Sequence, residues 1–301
     1  MSIFNHQPPR KAAFFRLPRT ARLGVYLPVF LALTFFGLRT LESAITYHPV
    51  RYAPGPEWQL PAEAEEVWFT ASDGVKLNGW FLRAQGQSSA PTVLYCHGNG
   101  GNLTSVRTLA GQLVQRGLNV LIYDYRGYGR SEGSLSDEWA LYRDGDAAYD
   151  YLTKVRGVRP EKLAIYGLSL GTTVAIDLAS RHQCGALVVE AGLSSAREMA
   201  AVAVPWLPGW MHWLARNRFE SARKLAEVKS PVLIAHGTAD NVIPVEQGRH
   251  LFAAAPEPKK LIIVPGGTHW LPSAPGYVDS VVGFIQEKLR QANRGIIQKT
   301  G

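Results

Sequence analysis

Residues 167–171 read Gly-Leu-Ser-Leu-Gly, and Ser169 stands between an apolar run, LAIY at 163–166, and a stretch of small helix-forming residues. A serine hydroxyl is a poor nucleophile at neutral pH unless a base takes its proton and a third group orients that base. Two later stretches offer those partners. HGTADNVIP (236–244) carries Asp240 and PGGTHW (265–270) carries His269, each just after an apolar run. Serine, aspartate and histidine in that chain order fit acyl transfer through a covalent serine intermediate.

A serine on so tight a strand-to-helix turn leaves little room beside it, which gives Gly167 and Gly171 a steric reason to be there. A helix beginning at Leu170 would point its free N–H groups and positive end toward the serine oxygen. The tetrahedral intermediate of acyl transfer also needs two N–H donors for its oxyanion. Leu170 is expected to supply one. The other is expected from Asn99 in CHGNGGN (96–102), where the neighbouring glycines let backbone approach substrate.

The elements that must hold these residues follow from the apolar pattern. Four prolines in PVRYAPGPEWQLP (49–61) indicate an extended linker, and strands at 66–70 and 75–83 flank Ala71-Ser72-Asp73-Gly74, a hairpin turn. Buried-strand runs follow at 92–97, 119–125, 162–167, 186–190, 231–236 and 260–265. Between them lie helical stretches at 103–116, 138–155, 170–181, 245–254 and 277–291, with a tail from Gly295 expected to fray. Runs apolar on both faces and joined by helix-length segments predict an α/β protein, its mostly parallel sheet covered on both sides by helices. Residues 192–222 break the alternation. Their large apolar residues, Trp206, Trp210 and Trp213 among them, fit either packed core or a lid over the site that admits an acyl chain.

The N-terminus has a different character. Leu23 to Leu38 is 16 residues without a charge, and including Arg22 and Arg39 to Leu41 brings it to spanning length if both arginines snorkel. Cleavage after Ser43 or Ala44 would put Leu41 or Glu42 at the −3 position, which suits neither, so an uncleaved anchor is expected. Basic residues before the apolar run predict a single-pass protein with a cytoplasmic N-terminus and an extracytoplasmic catalytic domain. The expected division is 1–48 for the basic stretch and anchor and 49–301 for the main domain.

Charge and composition narrow the alternatives. Of the formal +8, residues 1–48 hold a net +5, leaving +3 for the other 253 residues, so a nucleic-acid partner for the main domain loses its motive. Cys96 and Cys184 make no disulfide framework, and no Cys/His spacing resembles a metal site. No cofactor is implied. A dinucleotide fingerprint starting at Gly98 would need glycine at 103, where Leu103 stands, and a dehalogenase or epoxide hydrolase would need an aspartate in place of Ser169. His97 and His236 read as hydrogen-bonding turn residues, and Glu190 is a weaker alternative to Asp240 as the acid. Asp124 and Arg126 read as shaping the loop after the fourth strand through structural ion pairs.

Taken together, HGNGGN (97–102), DYRGYGRSEG (124–133), GLSLG (167–171), HGTADNVIP (236–244) and GGTH (266–269) resemble the α/β-hydrolases, and within them the Bem46-like or ABHD-type membrane-anchored serine hydrolases. The apolar N-terminus followed by ITYHP (45–49) is similar to that group too. The resemblance implies Ser169 as nucleophile, Asp240 as acid and His269 as base, acting on a small-molecule or lipid acyl ester or thioester. The competing expectation is a non-catalytic receptor that keeps the fold and binds without turnover.

Overall fold

The computed structural model describes residues 19–86, 90–203, 205–206 and 215–300. The chain divides into two units after Glu42. The first is dominated by helix α1, which runs over Arg19–Thr46 with Pro28 inside it. Its stretch Tyr26–Thr46 is 21 residues, long and apolar enough to cross a membrane. At 1.5 Å per residue it reaches roughly 30 Å, the thickness of a bilayer core. Phe30, Leu33 and Phe36 are all exposed on it.

The second unit is built on an eight-stranded sheet. Its strands are β1 (Ala64–Thr70), β2 (Lys76–Leu82), β3 (Thr92–Cys96), β4 (Asn119–Tyr123), β5 (Leu163–Leu168), β6 (Ala186–Glu190), β7 (Val232–Gly237) and β8 (Lys259–Val264). They lie in the order β1-β2-β4-β3-β5-β6-β7-β8. β1 and β2 form the expected hairpin, with Ala71 N–H donating to Val75 and Gly74 N–H to Ala71 across the turn. β2 meets β4 antiparallel, and every later pairing is parallel.

The central strands are buried along their whole length, because helices cover both faces. The period-2 alternation of side chains sorts them into two cores. Leu94, Ile165, Val189 and Ile234 face one side, where they meet α3 (Glu138–Asp150), α4 (Leu170–Arg181) and α7 (Val245–Ala254). Val93, Tyr166, Val188 and Leu233 face the other, against α2 (Arg107–Gln115) and α8 (Tyr277–Thr300). Short α5 (Ala196–Ala203) and α6 (Ser221–Leu225) lie within and after the insertion that follows β6.

Several boundaries differ from the sequence reading. The stretch expected as one helix from 103 begins as a 3-10 turn, Leu103–Val106, because the Asn102 side chain accepts from Thr104 N–H and closes a capping box with Ser105. The helix expected to 155 ends as a π-turn over Tyr151–Val155. α8 continues to Thr300, beyond the point where fraying was expected.

Candidate active site

Ser169 stands between β5 and α4 as the residue that caps the helix, with φ 53° and ψ −122°. A non-glycine residue reaches that region only when its surroundings force it there. Two of those constraints are glycines. A β-carbon on Gly171 would lie 2.0 Å from the Cys96 carbonyl oxygen, and one on Gly167 would lie 2.5 Å from the Gly171 oxygen. The turn therefore has no space for side chains at either position, as the spacing predicted. Ser169 N–H donates to the Glu190 carbonyl at 2.9 Å, tying the turn to the neighbouring strand.

The loop of residues 97–102 leaves β3 beside this turn. A β-carbon on Gly98 would sit 3.5 Å from Ser169 Cβ, so the Asn99 peptide follows directly on the serine's neighbour. Leu170 is the first residue of α4, where an N–H has no acceptor within its own helix.

Asp240 and His269 follow β7 and β8, and the two loops interlock. Ala239 N–H donates to Gly267 at 2.9 Å, Thr238 N–H to Val264 at 3.1 Å, and Gly266 N–H to the Thr238 hydroxyl at 2.8 Å. A β-carbon on Gly237 would lie 2.1 Å from the Gly267 oxygen. Held this close, His269 Nδ1 donates to Asp240 Oδ2 at 2.8 Å, which leaves Nε2 as the nitrogen free to accept a proton. The other carboxylate oxygen accepts from Val242 N–H at 2.8 Å and Ile243 N–H at 2.9 Å. Burial alone would push this carboxyl up, but the donors from His236, His269, Ile243 and Val242 outweigh it and hold Asp240 well below the usual carboxylate range.

The histidines read as turn residues, His97 and His236, lie just after β3 and within the last residues of β7, and both bond backbone carbonyls. His236 is fully buried and donates Nε2–H to the Ile243 carbonyl at 2.8 Å, with Asp240 Oδ2 at 3.3 Å. His97 donates Nδ1–H to the Gly98 carbonyl at 2.7 Å, and burial pushes its pKa down to about 4. Arg126 pairs with buried Asp144 at 2.7 Å and with Asp73 at 2.7 Å, so its charge is absorbed in holding the loop after β4. Asp124 accepts from Leu103 N–H, fixing the start of the 3-10 turn.

Glu190 does not take the place of Asp240. Its carboxylate accepts from the hydroxyls of Tyr166 and Tyr277, the latter at 2.9 Å, and from Leu271 N–H at 3.2 Å. Burial pushes it up to about 7 against those donors. The sequence held no signal for this cluster, since its members come from β5, β6 and α8. Of the insertion residues, Trp206 is 77% exposed, and Trp210 and Trp213 lie outside the described residues.

Residues 91–230 match the family described as alpha/beta hydrolase fold. The chain is 36% identical to the protein YfhR of Salmonella typhi over 264 residues, covering 81% of this chain and 87% of that one. It is 36% identical over 219 residues to alpha/beta hydrolase domain-containing protein 17C of Mus musculus, covering 71% of this chain and 66% of that one. Among solved structures, the Pyrococcus furiosus esterase Pf2001 superposes with a TM-score of 0.65 at 20% identity, over 82% of this chain and 97% of that one. The acetyl xylan esterase of Paenibacillus sp. R4 gives 0.63 at 17% identity, over 85% and 93%. A sheet of this order, an elbow of this conformation and relatives of this similarity place the chain in the α/β-hydrolase superfamily, among its ABHD-type members.

Proposed function

We propose that the protein is a serine hydrolase that cleaves a carboxylic ester or thioester through an acyl-enzyme on Ser169. The observation that carries this reading is the His269–Asp240 bond, which turns a histidine nitrogen free at the carboxyl edge of the sheet where a strained serine also stands. In the mechanism, Ser169 Oγ attacks the substrate carbonyl carbon while its proton passes to His269 Nε2. Asp240 holds the ring in the tautomer that can accept and stabilises the imidazolium. The oxyanion takes hydrogen bonds from the backbone N–H groups of Asn99 and Leu170, each worth about 2.7–4 kcal/mol in the transition state. The tetrahedral species collapses, the carbonyl–oxygen or carbonyl–sulfur bond breaks, and His269 returns the proton to the leaving alcohol or thiol. Water then repeats the sequence on the acyl-enzyme and frees Ser169.

The substrate class is an acyl compound of lipid type. Supporting it are the apolar helix α1 and, in the segment expected to act as a lid, the exposed Trp206. In this reading α1 is a membrane anchor, with the basic N-terminus cytoplasmic and the hydrolase domain on the far side. The competing reading is a non-catalytic binding protein on the same fold. A p-nitrophenyl ester series of rising acyl length, run on the detergent-solubilised full chain, tests between them. Hydrolysis lost in folded Ser169→Ala and folded His269→Ala supports the enzyme, and hydrolysis unchanged in Ser169→Ala refutes it.

A further inference from the structure

Residues 46–52 lie along the loop that carries Asn99, and Thr46 and His48 bond its side chain. The Asn99 amide oxygen accepts from His48 N–H at 3.0 Å and from the Tyr128 hydroxyl at 2.9 Å. Its amide nitrogen donates to the Thr46 carbonyl at 2.7 Å and to His48 Nδ1 at 3.0 Å. A carboxamide has two acceptor sites and two N–H donors, so this one is fully used. Turning it over would face the His48 N–H with a donor and the Thr46 carbonyl with an acceptor, so these two backbone contacts fix its orientation as well as its place.

The same segment holds the rest of the loop. Val50 N–H donates to Gly101 at 3.3 Å, and Asn102 Nδ2 donates to Val50 at 3.3 Å. Gly129 N–H also donates to Val50, and Tyr52 N–H to Gly129, both at 2.9 Å. Tyr47 reaches the end of the insertion: its hydroxyl donates to Asn217 Oδ1 at 2.7 Å and its ring packs edge-on against Phe219. A surface strap needs only some place to attach. This one is attached through the residue whose backbone N–H must meet the oxyanion, next to the glycine that abuts Ser169.

We propose that the Asn99 side chain, with its partners Tyr128 and the Thr46–His48 strap, is a positioning device that holds the Asn99 peptide as the second oxyanion donor. The proposal rests on the serine-hydrolase reading and deepens it. Oxyanion bonds strengthen as the transition state forms, so a donor displaced by a loosened loop lowers kcat and leaves KM in place. Asn99→Ala keeps the backbone N–H and removes only the clasp, which makes it the direct test. Tyr128→Phe removes one of the four bonds with almost no change in shape.

The experiment uses the full chain in detergent and follows an ester substrate by steady-state kinetics, together with hydrogen exchange of residues 97–102. The expected result is a kcat for Asn99→Ala at least tenfold below the parent with KM within twofold, a smaller fall for Tyr128→Phe, and faster exchange across the loop in both. A kcat within twofold of the parent in Asn99→Ala, with parental exchange, would overturn the clasp. Should Asn99→Ala not fold, Tyr128→Phe decides by the same two readings. Failure of the underlying hydrolase reading looks different: the parent itself would not turn over, and hydrogen exchange in the variants would still report whether the clasp holds the loop.

Discussion

The carbonyl of Glu190 accepts the backbone N–H of Ser169 at 2.9 Å, while the Glu190 carboxylate accepts that of Leu271 at 3.2 Å, two residues beyond His269. One residue at the end of β6 thus braces both the serine turn and the histidine loop. Its carboxyl, pushed up to about 7 by burial, keeps a proton in the folded chain that the unfolded chain releases near 4.5. Between those values the folded state binds more protons, so stability contributed by this group falls as pH rises from about 4.5 to 7. Glu190→Gln removes that dependence. Its stability relative to the parent should rise across this window, by on the order of 3 kcal/mol at most. Denaturant titrations of both proteins at pH 5 and pH 8 check it.

Asp240 has the opposite sign. Its folded pKa lies below the ordinary carboxylate value, so its contribution to stability is present above about pH 4 and is lost as pH falls through the folded value. Asp240→Asn should be less stable than the parent at neutral pH, with the difference shrinking as the medium is acidified below about pH 4. The same substitution should lower kcat by roughly 10³–10⁴-fold, because the ring loses the acceptor that fixes its tautomer. Paired unfolding and rate measurements report both effects.

The serine turn is strained, and glycine suits φ 53° where serine does not. Ser169→Gly should therefore abolish turnover and leave the protein at least as stable as the parent. Relief of roughly 1–3 kcal/mol of backbone strain outweighs the roughly 0.5–1 kcal/mol entropy cost of glycine. A shift of the unfolding midpoint to higher denaturant, beside Ser169→Ala as the reference, is the expected reading.

Gly171→Ala would push a methyl group to 2.0 Å from the Cys96 carbonyl oxygen, a backbone atom at the end of a central strand. It should destabilise by about 1–3 kcal/mol or more and reduce turnover at the adjoining serine. Gly111, inside α2, has nothing within 4 Å of the corresponding position. Gly111→Ala should stabilise by about 0.5–1 kcal/mol with unchanged kcat. Parallel melts of the two variants check the contrast.

What was legible in the sequence was local. Ser169, Asp240 and His269 each follow an apolar run, and the run, the turn residues and the chemistry-bearing side chain sit within ten residues of one another. The glycines at 167 and 171 were legible for the same reason, since their steric role is played against neighbours in one turn. The clasp was not. Asn99 and Thr46 are 53 residues apart, Tyr128 is 29 residues beyond Asn99, and no periodicity links them. The bonds of Glu190 to Tyr166 and Tyr277 escaped in the same way, since these polar groups meet only after the sheet is assembled. The π-turn over Tyr151–Val155 left no mark either, because its side chains keep a helical pattern while the hydrogen bonds lengthen by one residue.

Covalent labelling reads an activated Ser169 without knowledge of the substrate. The purified full chain, solubilised in detergent, is treated with a fluorophosphonate and weighed intact beside Ser169→Ala. One added phosphonyl group per chain, absent from the mutant, is the predicted result. A well-folded parent that stays unlabelled with and without added lipid would mean that Ser169 is not activated and that the chain is a binding protein on a hydrolase fold.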